Sequence, residues 1–253
     1  MKNTLTQILI NYKRVVLRNK RFFFFSLALP VIFYLLFTRV MNVGVPASAL
    51  KTWQLNYLVS MAVYSSLISS VITVSNTLLE DREHHFALFV RLTGTSNLRY
   101  YGTMLAVFMP LNILAIVILG LVGTFVNGVS ISITLWLAFI VLLPLLSFPF
   151  VLIGILISIS GSSNLVNILN QIVMFSMAII GGLWWPLDLM PNWLQTIGHG
   201  LPTYQISTII QDVVNKSAIS GTSLLGLAIW TVVLFAALFA SFRFISNREL
   251  QTI

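Results

Sequence analysis

From Tyr100 to Leu187 the chain carries no Asp, Glu, Lys or Arg. No water-exposed fold is built from such a stretch, because a soluble surface draws on roughly 25% charged residues. Over the whole chain the charged share is only 8%, and 58% of residues are apolar. The same balance excludes intrinsic disorder, which needs low hydrophobicity and high charge. Most of this chain therefore has lipid as its solvent. The absence of cysteine removes disulfide scaffolds, Cys-based zinc sites and thiol chemistry, and leaves the redox compartment open.

A helix rises about 1.5 Å per residue, so roughly 30 Å of hydrocarbon takes about 20 apolar residues. Phe22–Thr38 and Trp53–Leu79 supply two charge-free spans. Turn residues divide the long uncharged stretch at Asn127-Gly128 and at Ser160-Gly161-Ser162-Ser163-Asn164, giving about Gly102–Val126, Ile133–Ile159 and Leu165–Leu183. A last span covers about Leu224–Phe242. Pro30, Pro110, Pro144 and Pro149 fall inside spans, where neighbouring helices of a bundle can re-satisfy the freed carbonyls. The expected fold is thus an all-α integral membrane protein with six transmembrane helices and both termini cytoplasmic.

Charge gives the orientation. Lys2, Lys13, Arg14, Arg18, Lys20, Arg21, Arg82, Arg91, Arg99, Arg243 and Arg248 fall on one side, against Arg39, Lys51 and Lys216 on the other. Eleven against three places the richer face in the cytoplasm. The net charge of +8 then reads as a topological label, not as a nucleic-acid footprint. A cleaved signal peptide competes for the first span, since Ala47-Ser48-Ala49 resembles a cleavage site. The long basic stretch before the span and Arg39 after it argue against cleavage.

Three segments do not span. In residues 1–20, Leu5, Ile8, Leu9, Tyr12 and Val16 draw one apolar stripe with basic residues mostly off it, the pattern of an interfacial amphipathic helix that binds membrane lipid. Residues 80–94 combine Glu80, Asp81, Arg82, Glu83, His84 and His85 with an apolar run, Phe86–Val90, and then Arg91 and Leu92. Acids in front and Arg91 behind suit a short helix by its dipole, with Gly94 as a stop. That run covers more than one helical face, so it suits docking into a protein groove, lying on the membrane, or packing inside the bundle. Residues 184–202 follow the fifth span. Pro191 fits a first helical turn and Gly198 its end, and Trp184, Trp185 and Trp193 suit either an interfacial aromatic belt or an outer gate.

Other chemistry finds little support. No G-x-x-x-x-G-K-[ST] run exists, so the chain has no P-loop of its own. The spans hold no ionisable relay of the kind that coupled carriers use. Their polar candidates are Asn112 and, at helical spacing in the fifth span, Asn164, Asn167, Asn170 and Gln171. These suit helix–helix hydrogen bonding or the lining of a pathway. Glu80, Asp81, His84 and His85 lack a metalloenzyme spacing, so no metal is expected, and nothing in the sequence fixes Asp188 and His199 as a catalytic pair.

In this order the segments resemble the membrane subunits of type-2 ATP-binding-cassette (ABC) exporters, over nearly the whole chain. In the loop after the second span, Arg82-Glu83, Leu88, Arg91, Leu92, Thr93 and Gly94 answer to the family's pattern, while His84-His85-Phe86 replaces its usual small residue. Gly181-Gly182, Pro186, Met190-Pro191, Trp193-Leu194, Leu201-Pro202 and Tyr204 look like its re-entrant pair of short helices before the last span. The resemblance implies a single permease domain over residues 1–253. It makes Glu80, Asp81, Arg82, Glu83, Phe86, Leu88, Phe89, Arg91 and Leu92 the ATPase-coupling residues. Trp184, Trp185, Pro186, Met190, Pro191, Trp193 and Leu194 become the outer gate, with no catalytic residue on this chain. The implied assembly is a homodimer with two copies of a separate ABC ATP-binding subunit that holds ATP and magnesium, in a bacterial-type plasma membrane. Nearly uncharged spans favour a hydrophobic or amphipathic substrate: a drug, an antimicrobial peptide or a lipid-like molecule. The reading from another class is a non-transporting immunity or sensory subunit that binds a peptide at the outer face.

The cysteine-free background makes the orientation directly measurable. A membrane-impermeant maleimide should label Ser217→Cys in intact cells and Glu249→Cys only after permeabilisation; the reverse pattern would overturn the charge-based topology.

Overall fold

The computed structural model describes residues 20–41, 46–84, 97–130 and 132–251, together with Tyr12, and these form helices and turns without a strand. The amphipathic stripe of residues 1–20 therefore lies outside the described residues except for Tyr12, which is helical, and Lys20, which opens the first helix. That helix, α1, covers Lys20–Leu35 and continues as a π-helical turn over Leu36–Val40. The second, α2, is a continuous rod over Leu50–Glu83. Then come α3 (Asn97–Asn127), α4 (Ile133–Leu146), α5 (Phe148–Ser158), α6 (Ser163–Ile180), α7 (Asn192–His199), α8 (Pro202–Val214) and α9 (Gly221–Gln251).

Helices occupy all six stretches that the sequence marks as spans. Among the described residues, four segments are long and apolar enough to cross a membrane: Leu50–Glu83, Ile133–Ser158, Ser163–Ile180 and Gly221–Arg243. Ser26–Val40 and Asn112–Asn127 are shorter apolar helices. The breaks fall where turn chemistry puts them. Gly128 (φ 62°) and Gly161 (φ 94°) take the left-handed conformation that a side chain disfavours. Ser132 and Ser162 then cap the next helices, accepting from the amides of Leu135 and Leu165.

One expected span differs. Ile133–Ile159 is two helices meeting at Ser147, not one. Pro149 has no N–H to return to Leu145, so the ladder cannot run through. At the break the Ser147 hydroxyl donates to Leu143 O at 2.6 Å and accepts from Ser66 Oγ at 2.7 Å, which fixes the junction against α2. The fifth span also ends earlier than read, at Ile180, because the chain turns at Gly181-Gly182 with Gly182 at φ 73°.

The rod α2 is the axis of the bundle. Of its most apolar window 94% is buried, against 28% for Ser163–Ile180 and 22% for Gly221–Arg243, so those two keep wide faces for lipid or a partner. Its core face packs Leu58, Met61, Tyr64, Leu67 and Val71 against Ile116, Leu119, Phe139, Phe150, Ile153 and Ile206. Small hydroxylated residues let other backbones come close. Ser65 Oγ donates to Ser26 O in α1 (2.9 Å), Ser69 Oγ to Asn112 Oδ1 in α3 (3.0 Å) and Ser75 Oγ to Asn170 Oδ1 in α6 (2.9 Å). Over Ile68–Thr73 the rod takes a π-helical path, a local widening common where function needs irregular backbone. There α5 approaches through Gly154, where an added Cβ would sit 2.7 Å from Ser70 O.

At the opposite end from Glu83, three helix termini are tied together. Thr38 Oγ1 donates to Tyr34 O (2.6 Å) and accepts from Asn127 Nδ2 (2.9 Å). The Lys51 ammonium donates to the carbonyls of Asn127 and Gly128, where the dipole of α3 leaves partial negative charge.

The close approach at Gly154 gives a stability test. Gly154→Val should destabilise the protein by about 1–3 kcal/mol through overpacking, read as an earlier transition in sodium dodecyl sulfate titration of the detergent-solubilised chain.

Candidate functional site: the foot of the central rod and the aromatic segment

Glu80, Asp81, Arg82 and Glu83 form the last turn of α2, with His84 as its C-cap. This departs from the sequence reading, in which the acids open a separate short helix. No glycine or proline separates Leu79 from Glu83, so the rod continues through them, and the acids end up at the dipole's unfavourable end. Glu80, Arg82 and Glu83 are exposed, and Asp81 is buried. Glu83 accepts a hydrogen bond from Ser163 Oγ at 3.0 Å, which joins the foot of α2 to the start of α6. Phe86, Leu88, Phe89, Arg91 and Leu92 lie outside the described residues.

The chain between α6 and α8 builds the second locus. Gly181 is buried where a Cβ would collide with Thr203 Oγ1 and Met177 O. The chain then turns, and Leu183 and Leu187 enter the core. A 3-10 turn spans Leu187–Leu189, and Gln195 Nε2 closes back on Met190 O at 2.8 Å. Pro191 is the residue before α7, not within its first turn, and Gly198 lies inside the helix, which runs on to His199. Gly198 is required there by contact, since a Cβ would meet Ile180 O at 2.3 Å.

Trp184 sits at the centre of an aromatic cluster. Its ring meets Phe33 (5.1 Å), Tyr64 (5.5 Å) and Phe175 (5.7 Å) edge-on, a favoured geometry for aromatic pairs. Trp185 meets Phe37 in the same way at 5.8 Å. The cluster ties this segment to α1, α2 and α6 together. Met190 and Leu194 are half-buried, while Trp185, Pro186, Pro191 and Trp193 are exposed.

The four polar residues of α6 separate into two groups. Asn170 is buried and bridges to α2, accepting from Ser75 Oγ and donating to Asn76 Oδ1 at 3.4 Å. Asn164, Asn167 and Gln171 are exposed on a face shared with Ile168 and Ile172. Asp188 and His199 are not joined: they line different cavities, and the His199 ring packs on Tyr204 at 4.7 Å. Among the described residues no group of three His, Cys, Asp or Glu could hold a metal ion.

Sequence reading missed α8 as a helix and the polar seam it makes with α2 and α6. Thr203, Ser207 and Gln211 recur every fourth residue behind Pro202 at the helix start, and that spacing was the available signal. Thr203 Oγ1 donates to Met177 O at 3.1 Å, Ser207 Oγ meets Ser60 Oγ at 3.4 Å, and Gln211 Nε2 donates to Asn56 O at 3.2 Å.

A helical bundle around a buried rod, with a charged foot and a broken aromatic segment before the last helix, is the architecture of a multi-pass membrane protein. The sequence model of the ABC-2 family transporter proteins matches residues 48–240, and the chain belongs to this family. It is also similar to the putative transport permease YvfS of Bacillus subtilis (strain 168), at 30% identity over 206 residues covering 81% of this chain and 83% of that protein. Membership makes the chain the non-catalytic permease component of an ABC transporter, in a membrane of the bacterial plasma-membrane type. It also implies pairing with an ABC ATP-binding subunit.

The two groups on α6 should behave differently under substitution. Asn170→Leu is expected to cost about 0.6–2 kcal/mol, the range for hydrogen bonds between membrane helices, while Gln171→Leu leaves the isolated chain's stability unchanged. Unfolding titrations of the two variants side by side would measure this; equal effects would contradict the assignment of Asn170 as the bridging residue.

Proposed function

We propose that this chain is the permease of an ABC exporter that moves a hydrophobic or amphipathic substrate out of the cytoplasm or inner leaflet. All six apolar helices cross, both termini are cytoplasmic, and the segment before the last span forms a re-entrant hairpin at the outer face. Two copies pair with two ATP-binding subunits, and the stretch from Glu80 to Leu92 docks on the ATPase.

The observation that carries this reading is the continuity of α2. One rod runs from the charged turn Glu80–Glu83 to the aromatic cluster around Trp184, and it is hydrogen-bonded to α1, α3, α6 and α8 on the way. A displacement of its foot by a nucleotide-driven partner would be passed to the hairpin without slack. Interiors packed this closely shift as units and do not deform continuously. The energy source fits as well: a chain without a P-loop or an intramembrane ionisable relay needs a partner that hydrolyses ATP.

Pairing of two copies is supported by α6. Asn167 and Gln171 would face hydrocarbon if that surface met lipid, and unsatisfied amides there are costly. A second copy, or a pathway between two copies, removes the conflict. The nearly uncharged helices suit a drug, an antimicrobial peptide or a lipid-like molecule better than a hydrophilic ion.

Phe89→Asp or Arg91→Glu should abolish ATP-driven export in proteoliposomes containing the ATP-binding subunit, with expression and insertion retained. Export at the normal rate by these variants would overturn the docking assignment.

A further inference from the structure

At the α7 end of the bundle a cavity of about 340 Å³ opens between α2, the Gly181–Leu187 turn and α8. It is remote from the charged foot of α2, and neither the docking segment nor the exposed amides of α6 line it. Its wall is unusual for a membrane bundle because it combines aromatic rings, neutral polar groups and a single formal charge, that of Asp188.

The hydrogen bonds decide what such a wall can recognise. Gln211 spends its Nε2 donors on the protein, on Asn56 O (3.2 Å) and Ser207 Oγ (3.2 Å). The Tyr57 hydroxyl donates to Trp184 O at 3.3 Å. With these donors committed, the wall keeps the Asn56 amide, the Trp53 indole N–H and the Tyr204 and Thr208 hydroxyls as neutral groups, and its only charged group is an acceptor. Asp188 adds two carboxylate oxygens, and it forms no ion pair or hydrogen bond among the described residues. It is held at the rim by the 3-10 turn that follows Pro186, with Leu187 beside it plugged into the core against Gly182.

The rings supply the rest. Trp53, Tyr57 and Tyr204 line the cavity, and Trp53 and Tyr57 lie nearly parallel, their centroids 5.6 Å apart. An anion would meet a carboxylate and no cation here. A neutral polyol could use the amide and hydroxyls but would leave the carboxylate without a counter-charge. A cation carrying N–H groups answers the one formal charge, with the carboxylate and the neighbouring acceptors as charge-assisted partners and the Trp53 and Tyr204 rings in the wall adding their quadrupole.

We propose that this cavity is a binding site for a primary alkylammonium group, presented either by an aminophospholipid headgroup or by a soluble amine. The site needs neither ATP nor the partner subunit, so its test is independent of the transport reading. The purified full chain in detergent is titrated with ethylammonium chloride at constant ionic strength, and saturation-transfer NMR of the ethyl protons reports binding, with ethanol as the neutral isostere. The expected result is saturable binding of ethylammonium but not of ethanol. Asp188→Asn should raise the dissociation constant about tenfold or more, as expected for losing a hydrogen bond to a charged group. An unchanged elution volume and melting temperature would show that this exposed rim residue is not needed for folding. In nanodiscs of phosphatidylglycerol with phosphatidylethanolamine, native mass spectrometry then separates the two sources. Phosphatidylethanolamine retained by the wild type and lost in Asp188→Asn identifies the headgroup; ethylammonium binding without lipid retention identifies a soluble amine. No saturable ethylammonium signal, equal binding of ethanol, or an unaltered affinity in Asp188→Asn would overturn the proposal.

Discussion

Burial of the α2 rod is the constraint on which the rest of this structure depends. Inside a membrane the hydrophobic effect does not hold helices together, since lipid tails are as apolar as leucine; close packing and hydrogen bonds between helices do so. The sequence answers with small hydroxylated residues. Ser60, Ser65, Ser66, Ser69 and Ser75 reach five neighbours: α8, α1, Ser147 at the α4–α5 junction, α3 and α6. Each bond is worth about 1 kcal/mol or less, but together they specify which helix faces which side of the rod. Leucine at those positions would leave the helices apolar and free to rotate against one another.

That arrangement connects structure to function. The foot of α2 carries the exposed charges beside the start of α6, joined through Glu83 and Ser163. The far part of the rod carries Tyr57 and Tyr64, which hold Trp184 by its backbone carbonyl and by its ring. In the function proposed for this chain a separate ATPase acts at the foot, and a single unbroken helix is the simplest way to carry its displacement to the other end. A π-helical stretch at Ile68–Thr73 and the break at Ser147 lie beside that path, and Ser66, two residues before the π-helical stretch, bonds to Ser147.

Much of this was legible in the chain itself. The breaks at Asn127-Gly128 and Ser160-Gly161 hold because glycine there takes a positive φ and a serine caps the next helix. Local signals of that kind survive folding because they depend on a few neighbouring residues. The split at Ser147 was less visible: prolines inside membrane spans are often tolerated, and whether one bends or breaks a helix depends on what repairs the lost bond. Placing the acids Glu80, Asp81 and Glu83 at the end of α2 was also beyond a dipole argument. A small favourable charge–dipole term cannot stop a helix that has no breaking residue and is packed along its length.

The sequence by itself determined the solvent of this chain, the positions of its apolar helices, their turns and the charge asymmetry, because hydropathy, turn chemistry and charge are carried by individual residues. It also held the motifs that place the chain in its family. Tertiary structure alone decided which of the apolar helices becomes the buried axis, since all of them are hydrophobic and no one-dimensional pattern ranks them. It decided that Asn170 bridges to α2 while Asn167 and Gln171, nearby on the same helix, face outward. It also assembled Trp53, Tyr57, Asp188 and Tyr204, far apart in the chain, around one cavity. Those outcomes depend on how helices rotate and pack against one another, and that rotation is fixed only when all of them are in contact.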